Sequence, residues 1–151
     1  MTKIIVKDGI AVYGPGIELT AEYARGSDFI DTTTRLDNAE LIEINRTPSF
    51  FHGGVFNVVD GELTLIPERI HLLPIPESVS ALQAMLALDY FGYVTPYETW
   101  ANDPSRTFKE KAFINKAQSW LRDDPLFNAA ADALGFTEDD KDNFFRIAQT
   151  F

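Results

Sequence analysis

The spacing of apolar residues changes character once along the chain. Up to about Leu73 they come in short runs separated by turn-forming residues. Ile4-Ile5-Val6 and Ile10-Ala11-Val12-Tyr13 flank Asp8-Gly9, and Val55 to Val59 and Leu63 to Ile66 flank Asp60-Gly61. Asp-Gly accepts the positive φ angles of a type I′ turn, so each pair predicts a β-hairpin. Ile17 to Tyr23 alternates after the breaker Gly14-Pro15-Gly16, Leu41 to Ile44 adds a short strand, and Gly53-Gly54 marks a bend after Phe50-Phe51-His52. Short strands at this spacing predict a small antiparallel sheet or sandwich.

Leu73-Pro74-Ile75-Pro76 is the boundary, because alternating prolines hold the chain extended and exclude helix. The expected organisation is a β-rich domain over 1–73, a Pro-containing linker over 74–77 and a helical module over 78–151. Ser80 with Gln83 forms a capping box ahead of Leu82, Met85 and Leu86, and Gly92 stands where that helix stops. Thr95-Pro96-Tyr97-Glu98 repeats the device with proline at the first helical position. Asp103-Pro104 and Thr107 with Glu110 offer two starts for a longer helix whose buried stripe is Phe113, Ala117, Trp120 and Leu121. Asp124-Pro125 opens another helix that ends at Gly135, and Thr137 with Asp140 caps the last. The fold class is therefore α+β, an antiparallel β domain followed by a bundle of four or five short helices.

Charge narrows the choice of partners. The chain holds 23 acidic against 13 basic residues, and the excess is shared evenly between the halves, with no charged tail. A basic stripe, which phosphate binding requires, is missing, so neither nucleic acid nor an anionic membrane is an expected partner. The sequence has no cysteine, which removes disulfides, thiolate metal sites and cysteine nucleophiles together. The opening apolar run is too short for a signal peptide, and no later stretch approaches the roughly 20 apolar residues of a membrane span.

No motif assembles a catalytic centre, a cofactor site or a metal site, and the expectation is a protein that is not an enzyme. His52 and His71 lack a partner at metal-ligand spacing. A hydrolase would have to assemble its site from residues such as His52, Asp60 and His71. Glu138, Asp139, Asp140 and Asp142 lack the turning glycine and closing glutamate of a calcium loop, and carboxylates there offset the positive end of a helix dipole. The aromatic residues are more informative. Tyr90, Phe91, Tyr93, Tyr97 and Trp100 crowd the first helix-to-helix turn, and consecutive helical residues point in different directions, so part of the set is expected to face outward as a partner-binding surface.

Pro76 to Leu88, Pro-Glu-Ser-Val-Ser-Ala-Leu-Gln-Ala-Met-Leu-Ala-Leu, resembles a segment of small tailed-bacteriophage proteins encoded near tail-fibre genes, in which Ser-x-x-Gln-Ala leads into a leucine-rich helix. The likeness resumes at Trp120-Leu121-Arg122-Asp123-Asp124-Pro125-Leu126 and runs on through the Ala-rich Ala129 to Gly135 into Thr137-Glu138-Asp139-Asp140. Ala81 stands where proline is frequent in those proteins. The resemblance implies a tail or tail-fibre accessory that works by docking, as a structural or chaperone-like assembly protein, on a tail, baseplate or tail-fibre protein or in a homo-oligomer. It also implies synthesis in a host cytoplasm, with incorporation in the virion tail as one destination. The alternative from a different class is a free acidic cytoplasmic regulator that binds and inhibits a host protein.

Overall fold

A computed structural model describes residues 2–13, 40–46, 48 and 50–151. The chain divides into two compact units, Met1–Leu73 and Pro74–Phe151. The predicted strand at Ile17 to Tyr23 lies outside the described residues.

The first unit holds β1 (Thr2–Lys7), β2 (Ile10–Tyr13), β3 (Glu40–Ile44), β4 (Phe56–Val59) and β5 (Glu62–Leu65), joined antiparallel in the order β3-β1-β2-β4-β5. Both Asp-Gly pairs make the expected turns: Asp8 and Gly9 have φ of 53° and 79°, and Asp60 and Gly61 of 50° and 77°. These angles match the right-handed twist of the strands they join. The β1–β2 register jumps from Ile5↔Tyr13 to Val6↔Ala11, which makes Val12 the extra residue of a bulge. Bulges bend a sheet, and this one curls. Asn45, just past β3 at one edge, donates its backbone N–H to Gly61 O (2.9 Å) and its side-chain amide to Asp60 O (3.1 Å), at the β4–β5 turn. Ile4, Val6, Ala11, Ile44, Val55, Phe56 and Leu73 form the core, with Phe50 and Phe51 packed against it.

In the second unit a two-stranded ribbon, β6 (Ser78–Ser80) with β7 (Ser119–Leu121), is combined with five helices: α1 (Ala81–Phe91), α2 (Val94–Ala101), α3 (Phe108–Lys116), α4 (Pro125–Ala133) and α5 (Glu138–Ala148). The α+β class and the set of short helices follow the sequence pattern. Two local expectations are corrected. The helix carrying Phe113 ends at Lys116, and Trp120 and Leu121 lie in β7, where pairing of Val79 with Trp120 turns those two side chains inward and leaves Leu121, at 48% exposure, outside the buried stripe. Strand pairing at long range overrides a stripe that fits helical spacing. Thr95 does not cap α2, which starts at Val94 directly behind Tyr93. The reason is the preceding turn: Gly92 at φ 75° lets Gly92 N–H reach Asp89 O and Tyr93 N–H reach Leu88 O, so the chain re-enters helix at once.

The remaining ends follow local chemistry. Ser80, Thr107 and Thr137 each form a complete capping box, with Gln83, Glu110 and Asp140 reaching back to the cap. Asp124 accepts from Leu126 N–H at 2.7 Å ahead of Pro125.

Candidate functional site

Four of the five residues that the sequence marks for docking turn toward the unit's aromatic interior. Tyr97 and Trp100, at 6% and 8% exposure, face it from α2, and Tyr97 lies 5.6 Å from Trp120 between ring centroids. Desolvation raises the Tyr97 phenol above its ordinary pKa. Phe91 stacks on Phe144 (6.4 Å) and Tyr93 meets Phe136 edge-on (4.7 Å), both half-buried. The Arg106 guanidinium sits 5.1 Å over the Trp100 ring. The expectation that part of this set faces outward is thus narrowed to Tyr90, and the reason is room: the small α1 face of Ala84 and Ala87 lets neighbouring elements come close enough to take the other rings inside.

What the sequence missed lies on the opposite side of α1. Every residue of this helix except Gln83 and Asp89 is apolar or aromatic, and only Ala84, Ala87 and Leu88 are buried. Leu82 is 69% exposed, Tyr90 47%, Leu86 41% and Met85 38%. Their spacing, i, i+3, i+4, i+8, puts them in one row, because residues three and four apart share a helix face. Phe151, 41% exposed, extends the row: its ring lies 6.2 Å from Tyr90, and its carbonyl accepts from Gln83 Nε2 at 3.2 Å. A contiguous apolar row of this kind on a surface marks an interaction site, whereas scattered apolar residues do not. Asp89 is its one charge.

The second feature of the unit, a polar one, is an ion network that ties the end of β7 to α4 and α5. Arg122 donates through Nε to Asp142 Oδ1 (2.7 Å) and through Nη2 to Glu138 Oε2 (2.8 Å). Lys141, the one buried charged residue among those described, donates to Glu138 Oε1 at 2.7 Å and pairs with Asp132 Oδ1 at 2.6 Å. Asn128 locks the corner by donating to Arg122 O (3.1 Å) and Asp124 O (3.0 Å). Every cation here faces carboxylates, so the arrangement is that of a clamp.

The bonds from Lys141 and then Arg122 hold the Glu138 carboxyl down at about 2, against an ordinary value of 4.5. A carboxyl depressed by folding stabilises the native state above its unfolded value, and that contribution is lost as pH falls through the folded value. The melting temperature is therefore expected to fall as pH drops from about 4.5 toward about 2, and Glu138→Gln to flatten that fall while lowering the melting temperature at pH 7. An unchanged acid slope in the variant, followed by circular dichroism, would refute the assignment.

His52 places Nδ1 3.0 Å from Gly53 O, His71 is exposed in a short 3-10 helix (Pro67–Leu72), and Asp60 sits at a hairpin tip. No hydrogen bond among the described residues joins the three. Nor do the described residues contain a cluster of three or more side chains suited to a metal ion, or a helix long and apolar enough to cross a membrane. No family model, curated protein or solved structure matches this chain.

Proposed function

We propose that this chain is a non-enzymatic docking protein of a tailed bacteriophage, acting in tail or tail-fibre assembly through the outer row of α1. The observation that carries the reading is the exposed series Leu82, Met85, Leu86 and Tyr90 on a helix whose ends are fixed by a capping box and Gly92. A helix held this firmly presents its side chains already ordered, which lowers the entropy lost on binding. The two stretches that resemble tail accessory proteins also meet in the fold, since Val79 of one pairs with Trp120 of the other. The acidic surface disfavours nucleic acid as a competitor during assembly. Synthesis in the host cytoplasm and retention on the tail belong to the same reading.

The test is a pull-down of tail, baseplate and fibre proteins with the full chain, combined with mass spectrometry of purified particles. Leu82→Glu with Tyr90→Glu is expected to weaken capture at least ~10-fold, with stability changed by no more than about 0.5 kcal/mol at such exposed positions. Failure of both assays with the unaltered chain, or capture indifferent to the double substitution, would end the proposal.

A further inference from the structure

We infer that the outer row of α1 is covered, until a tail partner takes it, by the same row of a second copy running antiparallel across a two-fold axis. This rests on the reading of α1 as the docking surface and adds what holds that surface meanwhile.

The row is complementary to itself when reversed. A two-fold axis at Met85 and Leu86 brings Leu82 of one copy onto Asp89 and Tyr90 of the other and sets the two central side chains against their counterparts, the self-matching that an isologous interface demands. Charge points the same way. A helix N-terminus carries partial positive charge and its C-terminus partial negative charge, yet α1 has no acid in its first turn and no base in its last. It has Asp89 near the C-terminal end, where a carboxylate is unfavourable. In an antiparallel pair each Asp89 stands beside the first turn of the other α1, so each helix gains at its N-terminal end the carboxylate that its own first turn lacks. A parallel arrangement would leave it at the wrong end.

The size of the row sets the strength. Five partly exposed side chains offer on the order of 400 Å² per copy, and joining two such rows falls short of the roughly 1,200 Å² at the lower limit of stable complexes. The pair is therefore weak and reversible, which suits a face that has to be surrendered. Each copy carries a net charge of −10, so long-range repulsion opposes pairing and salt relieves it. A basic partner on this face would show the opposite salt dependence.

Sedimentation equilibrium of the full chain from about 10 to about 500 μM, at about 50 and about 500 mM NaCl, tests this. The mass is expected to rise from 17.0 kDa toward twice that value, more readily at high salt. Leu86→Glu, at the axis, should stay monomeric with an unchanged melting temperature. Asp89→Lys separates pairing from folding: it places a favourable cation at the end of its own helix, so the melting temperature holds, yet it is expected to weaken the pair at least ~5-fold. Glu68→Lys, which alters net charge equally, should not weaken it. A mass fixed at 17.0 kDa throughout, pairing by Leu86→Glu equal to that of the unaltered chain, pairing by Asp89→Lys as good as by Glu68→Lys, or pairing loosened by salt would each overturn the inference. Capture of a fibre protein by a chain that never pairs would remove the dimer and leave the docking proposal standing.

Discussion

Phe144→Ala is expected to destabilise the helical unit by about 3–5 kcal/mol. Phe144 is 1% exposed, and the rings of Phe91, Trp120, Phe127, Phe136 and Phe145 surround it at centroid distances of 6.4, 6.2, 5.9, 6.0 and 6.0 Å. Those rings come from α1, β7, α4, the loop before α5 and α5 itself, so no single rigid-body shift fills the space left behind. The loss therefore combines the transfer free energy of the ring with a cavity term. Urea denaturation followed by tryptophan fluorescence measures it, because the chain's two tryptophans, Trp100 and Trp120, both lie in this unit. Phe108→Ala is the control: at 87% exposure its loss should stay within about 0.5 kcal/mol. A Phe144 effect below about 1 kcal/mol would mean that the aromatic cluster is not the core described here.

In the β unit, Gly53→Ala is expected to cost about 2–3 kcal/mol. A Cβ built on Gly53 would overlap Val12 O, a backbone atom fixed in the β2 bulge. Backbone has no rotamer by which to yield, so the loop or the sheet has to move. Gly54, next to it, meets nothing within 4 Å but has φ of 87°, and its replacement by alanine should cost about 1–2 kcal/mol from strain alone. The separation of the two causes is readable by hydrogen exchange at the amides that hold this region, Gly54 N–H to Ala11 O (2.9 Å) and Val58 N–H to Gly9 O (3.1 Å). Both should lose protection most in Gly53→Ala. Equal effects of the two substitutions would rule out the close approach as the cause.

Local chemistry was legible in the sequence because its range is short. Asp8-Gly9 and Asp60-Gly61 specify positive φ within two residues, and each capping box closes over four. The hairpins and three capping boxes therefore appear where the sequence put them. The spacing of Trp120 misleads for the converse reason. Its spacing from Phe113 fits one helix face, but its state depends on Val79, far away in the chain, and pairing of this kind leaves no mark in a local pattern.

The candidate site divides in the same way. That α1 is a helix with fixed ends, rich in apolar residues and nearly free of charge, was determined by Ser80, Gln83, Gly92 and the residues between them. Which of its faces would be inside was not, since a helix that is apolar nearly all round carries no directional signal. Packing in the folded unit made that choice: Ala84 and Ala87 permit close approach, so the small face went in, and Leu82, Met85, Leu86 and Tyr90 were left out. The neighbouring aromatics followed the opposite course. Their crowding suggested a surface, and the folded unit takes Tyr97 into the core because the ring of Trp120, brought from a distant position together with Phe127 and Phe144, provides an apolar contact that no local segment supplies, while Trp100 is buried beside Tyr97 and under Arg106.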